Sequence, residues 1–498
     1  MTRSRTCLLW PSAALLLVCG FCLPGRSVCA DDAAPQPPAI IIPGGADART
    51  AASDEAAVLA WSMATIYAPA LKAPDHPAKT QELAALTLIA GCIAHDSLTR
   101  RTEARTAVTA ALAAGSQDPM LAYFDAMASS MSTQERGRRL KAIYPTFTFT
   151  SSPYPVSRRA ICGLVLLGTM SSSADPLSYA TMHEQVYQDI LATLATFPEH
   201  EQGMVRPFYP KILGFFEDEA FISSFAAGDR MLKDLSAPGI PQWWSKILQG
   251  SVHIQLAWLS RGSGYANTVG PTQWQGFSAH LTQADTLLTA AWNLAPDRPE
   301  AAAQMITVAM GGNDDNGSIY DWFDRAMQAQ MDYTPAFNIM FNALLPRWGG
   351  SWQDMIRLGT AAAQTGRYDT GTPWQLIDAV TRVYSDFLEQ GGTSPAELTP
   401  QVYRDCQAVI TGYRQRHEST SYYETWLATL AWMCGQQAAR SLQHLTAAGD
   451  KPVAAIIQHL GMSEHAFRVL VTTYAASTGS PRPTPTPSAT NQPDPVVP

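Results

Sequence analysis

Asp297, Glu300, Asp321 and Asp324 fall in one stretch that is also rich in tryptophan, and paired carboxylates beside aromatic platforms are the equipment of glycoside hydrolysis. That is the one enzymatic reading the chain invites. Close by, Gly311-Gly312-Asn313-Asp314-Asp315-Asn316-Gly317-Ser318 packs oxygen ligands densely, but its glycine and its distal carboxylate are misplaced for a calcium loop. Asn, Asp and Gly are also what a solvated turn between helices uses, so a turn is the simpler reading. Arg261-Gly262-Ser263-Gly264-Tyr265 would hold an anion through Arg261 and open amides, or else stop a helix. Arg347 beside Trp348 would meet a carboxylate or, more simply, cap helix-end carbonyls. Together with Trp322, these residues make Arg261, Tyr265, Trp322, Arg347 and Trp348 the candidate ligand- or partner-binding set.

Motifs that would commit the chain to catalysis are missing. There is no HExxH, no phosphate-binding glycine loop and no GxSxG elbow, and the lone CxxC, Cys19-Gly20-Phe21-Cys22, sits in the apolar N-terminal run. The ten histidines are scattered, and His459 and His465, six apart, fall on different helix faces. No catalytic residue, metal ligand or cofactor is therefore assigned.

The elements that must position the candidates are helices. Proline paired with a capping side chain recurs at Asp118-Pro119, Thr334-Pro335, Thr372-Pro373, Ser394-Pro395 and Thr399-Pro400, and Ser421 with Glu424 spells a capping box. Leu344-Leu345-Pro346-Arg347-Trp348-Gly349-Gly350-Ser351-Trp352 is a junction: Pro346 ends one helix, the glycines reverse the chain, and Ser351 with Asp354 caps the next. The alternating run from Tyr144 to Ser151 is flanked by prolines and reads as an extended loop. Residues around Leu287 to Glu300 align with Phe323 to Ala336 at an offset of 36, a spacing found in helix-turn-helix repeats. The expected fold is all-α, with stacked helical hairpins forming a tetratricopeptide-like superhelix.

Ala257-Trp258, Arg261-Gly262, Gly264-Tyr265-Ala266, Leu294-Ala295-Pro296-Asp297, Trp322-Phe323, Arg325-Ala326-Met327 and Leu345-Pro346-Arg347-Trp348-Gly349-Gly350-Ser351 together resemble bacterial tetratricopeptide-like proteins carrying the domain of unknown function 4034. The resemblance covers residues 257 to 380. It implies a superhelix of paired helices and no activity.

Arg3 and Arg5 precede an apolar run, and Val28-Cys29-Ala30 supplies small residues before Asp31, so residues 1–30 read as a secretory signal peptide cut after Ala30. Residues 31–50 read as a flexible leader, 51–250 as an N-terminal helical region, 251–476 as the repeat region, and 477–498 as a disordered Pro/Thr-rich tail. Removing three arginines and no acid takes the formal charge from −8 to −11. An acidic chain without a basic stripe excludes nucleic acid, and no later segment has the length of a membrane span. Cys92, Cys162, Cys406 and Cys434 remain, and a helix turn near residue 419 would bring Cys406 and Cys434 level for a disulfide, with buried thiols as the equal alternative. The expected protein is exported to the periplasm, cell envelope or exterior and binds a peptide or protein, with an all-helical glycan-acting enzyme as the alternative.

Overall fold

The computed structural model describes residues 38–95, 97–129, 131–147, 153–170, 174–196, 209–216, 222, 224–264, 266–392, 395–415, 420–449 and 452–476. Every regular element among them is a helix, and none is a strand. The expected signal peptide and the expected tail lie outside the described residues.

Helix starts obey the capping rules. The side chains of Ser97, Asp118, Ser132, Ser224 and Thr399 accept first-turn amides of the helices they precede. Proline opens Pro119–Ala128, Pro271–Leu294, Pro299–Met310 and Pro400–Arg414, where its missing N–H costs nothing. The capping box expected at Ser421 is not formed, because the helix already begins at Thr420 and Glu424 turns inward. Tyr144–Phe147 is a short 3-10 helix instead of an extended loop, with Tyr144 and Phe147 buried. Burial of those two rings on one side overrides the alternation of residue types.

The chain divides into two compact units, one formed by Arg49–Ile339 and the other by Met340 onward together with the leader up to Ala48. The division expected near residue 250, drawn where the repeat-like spacing begins, falls within the first of these units. The same helix-and-turn grammar runs through both units, so it marks where elements end and carries no mark of where contacts thin out.

In the first unit, Val156–Leu167 is buried at every position except Arg159, and Thr133–Ile143, Pro176–Thr196 and Tyr209–Phe216 pack on it. A helix enclosed on all sides needs apolar or small residues all round, which Ala160-Ile161-Cys162-Gly163-Leu164-Val165-Leu166-Leu167 supplies. Farther along, Gln242–Arg261 and Pro271–Leu294 pack as a long hairpin, followed by Pro299–Met310 and Ile319–Ala329. In the second unit the enclosed helix is Thr420–Met433, buried from Tyr423 to Met433, with Pro400–Arg414 and Ala438–Ala447 against it. A regular stack of hairpins leaves each helix one solvent face, and these two enclosed helices depart from that pattern.

The leader also differs from expectation. Residues 38–48 pack within the second unit: Arg357 donates to the Pro38 carbonyl at 3.2 Å, Arg367 donates to the Gly45 carbonyl at 2.7 Å, and Ile42 is buried. Prolines and a glycine pair forbid a helix there, but they leave an extended chain whose carbonyls side chains can hold.

The junction between Leu344 and Trp352 forms as its residues dictate. A 3-10 turn spans Pro346–Trp348, Gly349 adopts φ 88°, and Ser351 accepts from the Asp354 amide at 3.1 Å before the Trp352–Gln364 helix. A side chain at Gly350 would collide with the Leu344 backbone. Gly350→Ala should therefore lower stability by about 2 kcal/mol, read as a shifted urea midpoint. Gly371→Ala, where an added methyl meets open space, should leave that midpoint unchanged.

Candidate functional site

The candidate residues go to separate places. Arg261 ends the Gln242–Arg261 helix, is buried, and donates to the Gly262 and Gly264 carbonyls at 3.1 Å each. Its guanidinium lies 5.6 Å from the centre of the Trp258 ring and 5.5 Å from that of Trp274, so it shapes the loop from within. Tyr265 lies outside the described residues. Trp322 is buried beneath Arg325, whose guanidinium sits 4.0 Å from the ring centre, and it meets Trp292 edge-on.

Arg347 meets a carboxylate and not the helix-end carbonyls expected of it. Its NH1 donates to Asp386 Oδ1 at 3.0 Å. The other oxygen of Asp386 accepts from Trp352 Nε1 at 2.7 Å and from Gln390 at 3.0 Å. Asp386 is buried, so this carboxylate fastens the junction to the Gln375–Glu389 helix from inside, while Trp348 is half-buried beside it.

Two of the four acidic residues considered for hydrolysis serve local structure, and a third, Asp324, has its carboxyl pushed up by burial and by the charge of the nearby Asp321. Asp297 pairs with Arg49 at 2.8 Å, Asp321 accepts from the Ser318 amide and hydroxyl as a helix cap, and Glu300 is buried. None of the described hydrogen bonds or ion pairs joins any two of the four. The Asn313–Ser318 loop is a turn fastened by Asn316, which donates to Asp285 at 2.7 Å. Cys406 and Cys434 are buried and not disulfide-bonded, as are Cys92 and Cys162, which is the second of the two expected states.

Three clusters were not anticipated. In the first unit, Asp118 caps Pro119–Ala128 and accepts from the Tyr154 hydroxyl at 2.5 Å, near Glu82, which accepts from Ser116 and pairs with His76. Burial, with Glu82 adding to it, pushes the Asp118 carboxyl from its usual 3.8 to about 6. Between those values the folded protein holds a proton that the unfolded chain has lost. The resulting stabilisation is full below about pH 4 and is lost as pH rises through about 6, amounting to about 3 kcal/mol. Asp118→Asn, whose amide can still accept from the helix and donate to Tyr154, should flatten that dependence in urea unfolding at pH 4.5 and 7 relative to the native protein.

In the second unit, Glu424 accepts from Arg414 at 2.8 Å and from His444 Nδ1 at 2.7 Å, and His444 Nε2 lies 3.0 Å from the Tyr403 hydroxyl. The residue types are those of an acid-base relay. Yet Tyr403 is fully buried, and burial pushes its phenol up to about 12, so no substrate reaches the end of this chain of bonds. Three helices are pinned by it instead.

The third cluster is a groove of about 590 Å3 in the second unit. Ile356, Arg357, Thr360 and Ala361 of the Trp352–Gln364 helix form its floor, with leader residue Ile40 and Glu397 also lining it. The leader runs parallel to that helix, since Pro38 meets Arg357 and Gly44 and Gly45 meet Thr365 and Arg367. From Ala39 to Gly44 its backbone makes no hydrogen bond among the described residues.

No family model, curated protein or solved structure matches this chain. Its site must be judged on geometry, and the groove is the concave surface where geometry and open main-chain groups coincide. Sequence reasoning missed it because the leader carries no periodicity, and Arg357, within the Trp352–Gln364 helix, and Arg367, three residues past its end, show their shared role only once the leader lies alongside.

Proposed function

We propose that this protein is an exported scaffold of helical hairpins, related to the tetratricopeptide-like family it resembles, that binds an extended segment of a partner protein in the groove beside the Trp352–Gln364 helix. The observation that carries the proposal is the docking of the chain's own leader. Arg357 and Arg367 hold that extended segment by its main-chain carbonyls, which is recognition indifferent to side chains. The adjoining groove has room for a second strand, and the open amides and carbonyls from Ala39 to Gly44 would pair with it. Export would deliver the scaffold to a compartment where extended segments of envelope proteins are accessible.

The test is selection from a displayed library of random unstructured peptides against the full chain. Peptides should be enriched on the native protein and lost on Ala361→Trp, which fills the groove floor, with melting unchanged. Equal enrichment on both proteins would remove the groove from consideration. Mass spectrometry of the processed chain, expected to begin at Asp31, tests export separately.

A further inference from the structure

We propose that His253 and His280, in the first unit and far in sequence from the leader-binding groove, form a binding site for a divalent transition-metal ion that prefers imidazole, such as Zn2+. His253 lies on the Gln242–Arg261 helix and His280 on Pro271–Leu294, and the hairpin brings their Nδ1 atoms to 3.1 Å. With metal–nitrogen bonds of about 2.0–2.1 Å, two imidazoles bound side by side on one ion place their nitrogens about 2.9–3.4 Å apart. The pair already has that spacing, so an ion can enter without movement of either helix.

Several features prepare the pair. Both rings are half-buried, leaving access from solvent while limiting their freedom. The Phe225 ring stacks on His280, with centroids 6.2 Å apart and planes 19° apart, which holds that imidazole in orientation. Burial lowers the proton affinity of both rings, that of His253 to about 4, with His280 adding to the effect, so both are neutral near pH 7. A metal then displaces no net proton: the imidazole that donates through Nδ1 gives that proton to water and takes one at Nε2. Asp229, on the Phe225–Leu235 helix, lies close enough for its charge to act on both rings and favours a cation between them. Among the described residues no third His, Cys, Asp or Glu completes a ligand set, so water fills the remaining positions. Two protein ligands with open coordination give exchangeable binding, in contrast to a closed structural site. Imidazole ligands select zinc, nickel or copper over magnesium.

The experiment titrates the full chain with ZnCl2 by calorimetry at pH 7.5, with MgCl2 as the control ion. One equivalent of Zn2+ should bind, the melting temperature should rise with zinc and not with magnesium, and saturable binding should be lost in both His253→Gln and His280→Gln. Zinc uptake by those variants equal to the native protein's, or no uptake by the native protein, overturns the proposal. Because a variant could misfold, the native protein supplies a second reading. Long-range 1H–15N spectra should show both imidazoles protonated at Nε2 once zinc is added, and rings whose tautomers ignore zinc also overturn it.

Discussion

Asp386→Ala is expected to lower stability by about 3 kcal/mol, the lower part of the range for breaking a buried ion pair. Three donors lose their acceptor at once: Arg347 at 3.0 Å, Trp352 Nε1 at 2.7 Å and Gln390 at 3.0 Å. The Arg347 side chain keeps 24% of its exposure and can partly rehydrate, which is why the upper end of the range is not expected. The indole of Trp352 packs edge-on against Phe387 and cannot turn outward without losing that contact. Arg347→Ala should cost less, about 1–2 kcal/mol, because Asp386 retains two neutral donors. Denaturant unfolding followed by tryptophan fluorescence measures both. Equal costs for the two variants would mean that the ion pair alone, and not the three-donor hub, holds the junction.

Glu424→Ala is expected to be of similar size, about 3 kcal/mol. Magnitude here separates two roles for one residue. A glutamate serving only a capping box contributes about 1 kcal/mol or less. A buried carboxylate that accepts from both Arg414 and His444, and through His444 fixes the Tyr403 hydroxyl, leaves three polar groups adrift when it is removed. Half of that loss should return in Glu424→Gln, whose amide oxygen still accepts from His444. Thermal unfolding of the three proteins decides the matter, and a drop near 1 kcal/mol for the alanine variant would reduce Glu424 to a surface cap.

Both residues illustrate where reading a sequence succeeds and where it stops. Ser351 and Thr399 were legible as caps because the bonds they make reach only three residues along the chain. Ser421 and Glu424 have the same spacing and make no box, since Glu424 is claimed by Arg414 on one neighbouring helix and His444 on another. The same holds for Arg347, placed correctly in a junction but given the wrong partner, because Asp386 lies 39 residues away. His253 and His280 meet only through the register of a hairpin, which no local pattern encodes.

The sequence by itself determined an all-helical chain, most of its helix starts, the turn at Gly311–Ser318 and the reversal at Gly349-Gly350, because capping, proline geometry and periodicity act within a turn or two. Only the tertiary structure decided that the leader is held along a helix, that the units part at Ile339, that Cys406 and Cys434 are buried without a disulfide, and that Asp321 serves a cap and Asp297 an ion pair. Those outcomes depend on which distant groups share a low-dielectric interior, where an unpaired polar atom is costly and the best available partner is taken whatever its distance along the chain.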